Sequence, residues 1–454
     1  MDKKTIAEKM ADYGQGLKFE QLPGPVVHEV KRRVIDSLAC VLGAYESLPA
    51  KIARASAPSI QNGLISSVIG GGETTPEHAA FANGVMIRYL DYNDTYLSKE
   101  PAHPSDNIAA ALASAEAFGK SGEEFITAVA AAYEVQCRLC DGASLRARGW
   151  DHVTYGAFSS ALAASMLMGL TRDQTVNALG IAGTGAPALR QTRAGELSMW
   201  KGCAFARAAK DAVFAALLAR NGMTGPAPVF EGEFGFFKLV SGPFAIAPFA
   251  AGDGQFKILD TYIKYYPAEY HAQSAIGAAL DLYTEIGDTD EIESVTINTF
   301  RAAYEIIGRG DEKWRPKTRE TADHSLPFCV AAALMDGSIT AFTFSERLSD
   351  ERISGLLDRT KVVVDDDLDK LYPEAMPNRV EVVLRSGRYL VKEVIYPKGH
   401  PKNPLSDREL EKKFKSLSEW YFMNKESGRV LDALWNLDSI KDIRELMKLL
   451  GRGD

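Results

Sequence analysis

A chain of 454 residues is long for one hydrophobic core, and its 46% hydrophobic and 25% charged residues exclude wholesale disorder. Its net charge of −8 argues against a nucleic-acid surface, which would be basic, and any anionic ligand would have to find a local cluster of Lys and Arg. No apolar run approaches the ~20 residues of a membrane span, MDKKTIAEKMADYG lacks the apolar segment of a secretion signal, and five irregularly spaced Cys form no disulfide framework, so the cytoplasm is the expected compartment.

In chain order, helix signals dominate to about residue 260. Ser105 or Asp106 is placed to cap IAAALASAEAFG, and Ser121 with Glu124 reads as a capping box ahead of AVAAAYEVQCRLCDGA. Cys137 and Cys140 of that CRLC lack a second Cys pair, so they read as buried and inert rather than as zinc ligands. Thr154 could cap the helix after His152, Thr171 with Gln174 repeats the capping box, and KGCAFARAAKDAVFAALLAR stops at Asn221-Gly222. The Gly run at 70–72 has no following P-loop Lys and reads as a turn.

Beyond residue 260 the text turns β-branched. SVTINTF, KVVV, RVEVVL and RYLVKEVIY read as strands, the last two as a hairpin about Ser386-Gly387, with a helix near 324–335 between the first two. This order predicts an α+β unit with an antiparallel sheet. A Pro-rich linker, in which His400 is expected to be exposed, leads to a capping box at Ser406 and Glu409 and a helical tail to Asp454. The fold class is therefore mainly α: an all-helical domain over 1–262, completed by 404–454, interrupted by a smaller α+β domain over 263–403.

Four His fall at loop–helix junctions or near the change of texture: His103 in AHPSDN, His152 in GWDHVTYG, His271 in KYYPAEYHAQS and His324 in TADHSLPF. Helix N-termini carry free N–H groups and partial positive charge, so such places suit anions, although a loop His often only bonds backbone. Among the cations, Arg88 lies one helical turn before Asp91, Arg193 is in RQTRAGELS, Lys201 stands at a helix start where the dipole disfavours it, and Lys264 precedes YYP. No GxGxxG after a strand, Walker loop, GxSxG or HExxH occurs, and the Cys are too scattered for an iron–sulfur cluster. What remains is acid–base chemistry by Asp and His, without metal or cofactor, with Lys and Arg holding anionic groups.

IRYLDYNDTYL, AHPSDN, LRQTRAGELSMWKG, KYYPAEYHAQS and TADHSLPFCVAAALMDG, in this order between residue 87 and about 337, resemble the MmgE/PrpD family, whose best-known members are 2-methylcitrate dehydratases. The resemblance implies a helical domain with an α+β lid, a homodimer, and a tricarboxylate or dicarboxylate substrate. It implies catalytic roles for Asp91, His103, His152, Lys201 and Lys264. Arg88, Arg193, Glu269, His271 and His324 are then substrate contacts. Some relatives, the cis-aconitate decarboxylases, have a His shortly after the second lysine, where this chain has Glu269. Decarboxylation or epimerisation within the family, and a non-catalytic helical binding protein, are the alternatives to dehydration.

Overall fold

The computed structural model describes residues 4–422 and 426–451, so the helical reading of 423–425 and 452–454 lies outside the described residues. α1 (Ile6–Gly16) opens on a reciprocal Thr5/Glu8 box, and α2 (Gly24–Ala44) has Pro25 in its first turn. After α3 (Leu48–Ala55), β1 (Ser66–Val68) and β2 (Gly72–Thr74) pair as a hairpin across the Gly run. The body is then α4 (Pro76–Tyr89), α5 (Ile108–Ala117), α6 (Gly122–Gly142), α7 (Val153–Leu167), α8 (Arg172–Gly185) and α9 (Ala204–Arg220). Small residues let these helices close on one another: a Cβ on Gly156 of α7 would stand 2.2 Å from the Phe205 ring of α9.

Ser121/Glu124 and Thr171/Gln174 open α6 and α8 as capping boxes. Two other caps differ from expectation. A 3-10 turn, Pro104–Asn107, leads into α5, and neither Ser105 nor Asp106 caps it: the Ser105 N–H donates to Asp94 Oδ1 (3.0 Å) and Asp106 accepts from Asn93 (2.7 Å). At α7 it is Asp151, not Thr154, that accepts from the Val153 N–H (3.3 Å), because the Thr154 hydroxyl is taken by the Ala188 N–H (3.1 Å). Cys137 and Cys140 are buried in α6, where burial pushes both thiols well above their usual range.

The second unit contains α10 (Gln273–Ile286), β3 (Ile292–Thr299), α11 (Leu326–Asp336), α12 (Glu351–Leu357), β4 (Thr360–Val364), β5 (Asn378–Leu384) and β6 (Tyr389–Val394). Its sheet has the order β4-β3-β5-β6 and is mixed, not purely antiparallel. β5 and β6 form the expected hairpin, but β4 runs parallel to β3, with Ile297 opposite Val362 on one side and Val380 on the other. The reason is the crossover through α11 and α12, which returns the chain to the sheet in its starting direction. The helical unit holds a large hydrophobic core and a smaller one where α4, α5, α7 and α9 meet, and a third is formed by α10, α11 and the inward residues Val295, Ile297, Val380 and Val382.

The chain re-enters the helical unit at α13 (Asp407–Phe422), opened by Ser406 and Glu409, and continues through α14 (Ser427–Trp435) and α15 (Ile443–Leu449). Outgoing and returning segments touch: a Cβ on Gly399 would lie 1.8 Å from the Ile263 carbonyl oxygen. His400 is buried, against the expectation of exposure, because its ring stacks on Tyr262 (5.1 Å) and packs against Tyr396 (5.0 Å). Among the described residues, no helix is long and apolar enough to cross a membrane.

Candidate active site

α4 ends at Tyr89, and two residues later Asp91 adopts a left-handed backbone (φ 51°), the one non-glycine to do so among the described residues. Asp tolerates this conformation better than most side chains, though at some cost in backbone strain. The turn points the Asp91 carboxylate back at its own helix, where the buried Arg88 guanidinium donates to Oδ1. Lys201 Nζ, from the turn ahead of α9, lies 3.4 Å from Oδ1, and Lys264 Nζ lies 3.1 Å from Oδ2 and donates to the Asp91 carbonyl at 2.8 Å. Burial alone would raise the Asp91 pKa, but Arg88, Lys201 and Lys264 outweigh it and hold the group well below the usual carboxylate range. The same burial pulls Lys201 down to about 8, against the attraction of Asp91 and Asp323. Arg319, from the α+β unit, donates to the Tyr89 and Leu90 carbonyls (3.2 Å each), satisfying the end of α4, and pairs with Asp323 (3.0 Å).

A cavity of about 120 Å³ opens beside Asp91, between the helical and α+β units. Three imidazoles reach it with one arrangement in common: a carboxylate on Nδ1. His152 has Asp151 at 3.1 Å, His271 has Glu269 at 2.7 Å, and His324 bonds Asp323. Such a partner fixes the tautomer that presents a free lone pair at Nε2. For His152 and His271 that Nε2 is buried without a hydrogen-bond partner, and for His324 it lies 3.7 Å from Asp91 Oδ2. Burial, with Arg193 and Arg88 adding to it, lowers His152 to about 3, so its imidazole is neutral. Burial and Lys201 lower His324 as well. Burial would raise Glu269, but its bond to His271 overrides this and holds it at about 2.

His103 differs. Its Nδ1 donates to the Asp94 carbonyl (2.7 Å) and its Nε2 accepts from Arg88 Nη2 (2.8 Å), so both ring nitrogens are engaged, and burial with Arg88 keeps it well below its ordinary pKa. Its ring meets that of His152 edge-on at 5.5 Å. Asp106, 3.8 Å from Arg88 Nε, is raised to about 7 by burial.

Nine of the ten residues singled out in the sequence line the cavity: Asp91, His103, His152, Lys264, Arg88, Arg193, Glu269, His271 and His324. Lys201 is the exception, buried beneath it against Asp91. Arg193 reaches Asp151 (3.0 Å), so it braces the partner of His152 as well as the wall. Sequence reading missed Arg146, Arg190, Lys313 and Tyr372, which also line the wall, and the two carboxylates Asp151 and Asp323. The last two were readable: each stands immediately before its His, in GWDHV and TADHS. Asp91, Asp323 and His324 also bring ligand-type atoms within 4.8 Å of one another, as a metal site would. Three cations already surround the Asp91 carboxylate, and a dication there would meet their repulsion.

The MmgE/PrpD N-terminal domain matches residues 8–248 and the MmgE/PrpD C-terminal domain residues 266–438. A 2-methylcitrate dehydratase of Cupriavidus necator is 31% identical, with 84% of each chain covered. One of Salmonella typhimurium is 33% identical over 79% of this chain and 78% of its own. A mitochondrial 2-methylcitrate dehydratase of Yarrowia lipolytica is 32% identical over 72% of this chain and 67% of its own. With both domains matched in order and the cavity lying where they meet, the chain belongs to the MmgE/PrpD family.

Proposed function

We propose that this chain is a hydro-lyase that dehydrates 2-methylcitrate, or a closely related tricarboxylate, by acid–base catalysis without metal or organic cofactor. The observation that carries the reading is the combination of carboxylate-backed imidazoles from both structural units with a wall of Arg88, Arg146, Arg190, Arg193, Lys264 and Lys313. That many cations suit a ligand with three carboxylates. The names of the relatives point the same way.

Dehydration breaks a C–H bond beside a carboxylate and a C–O bond on the neighbouring carbon, and forms a C=C bond and water. His152, neutral and with Nε2 unpartnered, takes the C–H proton. The departing hydroxyl takes its proton from His271, which must enter the step as an imidazolium with a second proton on Nε2, a cation that the ionised Glu269 on Nδ1 stabilises. His271 leaves the step neutral, and the proton held by His152 returns to solvent. Lys264, Lys201 and the arginines stabilise the charge that builds on the carboxylate beside the breaking C–H bond. Asp91 holds the lysines in place and charged, and His103 fixes the outer face of Arg88. In the same reading, residues 263–403 serve as a lid over the helical domain formed by 1–262 and 404–454, a division that the separate core of the α+β unit supports. The working form is a homodimer, to which exposed Phe234 and Leu239 beside one apolar groove offer a face.

The test is NMR of the purified protein with 2-methylcitrate, citrate and cis-aconitate. Water loss from 2-methylcitrate is expected. Loss of CO₂ from cis-aconitate would move the chain to the decarboxylases, and solvent exchange alone to epimerisation. Absence of turnover, together with no thermal stabilisation by any tri- or dicarboxylate, would leave a non-catalytic helical protein.

A further inference from the structure

Behind the cavity wall, on the side away from the imidazoles, α13 brings the buried Lys413 to the two loops that carry Asp91 and Lys264. An ammonium has three N–H donors; here two go to main-chain carbonyls and the charge is paired with a buried carboxylate. Nζ donates to the Tyr92 carbonyl (2.8 Å) and to the Lys264 carbonyl (2.8 Å), and pairs with Asp36 Oδ1 of α2 (2.6 Å). It also lies over the Tyr92 ring, 3.6 Å from the centroid, while the Tyr92 hydroxyl donates to the Tyr265 carbonyl (2.6 Å). Tyr92, next to Asp91, and the main chain of Lys264 itself are thus tied to one point charge, Tyr92 is tied in turn to Tyr265, and the charge is anchored on a third element.

We propose that Lys413 is a positioning residue that sets the spacing of Asp91 and Lys264, an inference that rests on the dehydratase reading above. It reaches no atom of the cavity wall except through main chain, and its target is the 3.1 Å contact between Lys264 Nζ and Asp91 Oδ2. Small displacements of positioned groups cost rate steeply, and the loss falls on kcat more than on KM, because Arg146, Arg190 and Arg193 are untouched.

Lys413→Ala would strand the buried Asp36 and unfold the protein by a route unrelated to the site. Two variants avoid this. Asp36→Leu/Lys413→Met replaces the buried pair by apolar groups of similar size. Lys413→Arg keeps the charge beside Asp36, but its planar fork does not serve three separate directions. For each, turnover of 2-methylcitrate and amide hydrogen exchange are measured against wild type. In both variants kcat should fall at least about ten-fold with a smaller change in KM. Exchange should accelerate across 90–96 and 262–266 and stay unchanged in α9. Folded variants with kcat within a few-fold of wild type, or with unaltered exchange in those two segments, would overturn the proposal. A wild-type protein that does not dehydrate 2-methylcitrate would instead remove the functional reading, and the exchange data would still decide whether Lys413 holds the loops.

Discussion

Asp91→Asn isolates what the central carboxylate contributes. Asn keeps the size, accepts hydrogen bonds and tolerates the left-handed backbone at φ 51°, so the fold should persist. What disappears is a negative charge 3.4 Å from Lys201 Nζ and 3.1 Å from Lys264 Nζ. At an effective dielectric near 20, a unit charge at that distance is worth roughly 5 kcal/mol, and even half of that is about two decades in a protonation constant. Lys201 starts at about 8, so losing Asp91 takes it below neutrality. The ammonium is the required form, so activity is lost above the lysine's pKa, and in the variant that limb moves toward acid. At neutral pH kcat/KM should fall by ~100-fold, the scale of a lost charge-stabilising donor, and recover in some measure as the pH is lowered. Ultraviolet absorbance of the unsaturated product across a pH series reads both effects. A folded variant within a few-fold of wild type, with its alkaline limb unmoved, would refute the assignment of Asp91 as the group that keeps the lysines charged.

Three further outcomes are expected. His152→Gln should lower kcat by ~100-fold or more while leaving tricarboxylate binding intact, and Asp151→Asn should cost less; initial rates beside calorimetric binding separate the two. His103, His152 and His324 are depressed below 6.5 by burial, so as pH falls below that value the unfolded chain binds protons that the folded chain does not. Stability should then drop on acidification, by up to about 1.4 kcal/mol per pH unit for each His. His400, lowered to about 4, adds to the drop, whereas Asp106, raised to about 7, acts in the opposite sense together with Asp36, Glu100 and Glu116, which burial also raises. Thermal melts between neutrality and mild acid read the balance, and a midpoint that does not move with pH would contradict it. Exhaustive chelation should leave turnover unchanged, whereas a loss restored by a divalent ion would assign a metal to Asp91, Asp323 and His324.

Local chemistry makes much of the fold legible. Reciprocal Ser/Thr–Glu/Gln pairs fix helix starts within a few residues, and the boxes at 121, 171 and 406 form as the sequence predicts. Strand direction is not a local property: β4 has the β-branched text of any edge strand, and only the path through α11 and α12 makes it parallel to β3. The caps expected at 105 and 154 fail for a related reason. The Ser105 and Thr154 hydroxyls instead accept from Asn93 and from the Ala188 N–H, partners that are remote in sequence. The Pro-rich segment around His400 looks like a solvated linker, but Tyr262 and Tyr396 enclose the ring. At the site, motifs locate the residues, whereas the engagement of both His103 nitrogens requires the fold.

The contact between Gly399 and Ile263 has a mechanical consequence. Chain leaves and re-enters the helical unit through two segments that meet at one spot, where backbone touches backbone and Tyr262 stacks on His400. At that crossing the two bodies cannot slide past each other or separate, and Arg319 ties them a second time at the Tyr89 and Leu90 carbonyls. A widening of the cavity mouth that kept this crossing intact would have to release the Arg319 tie, and its displacement would grow with distance from residues 263 and 399. A bulky side chain at 399 has no room beside the Ile263 carbonyl and would wedge the crossing itself, tilting one body on the other while every wall residue stayed chemically intact.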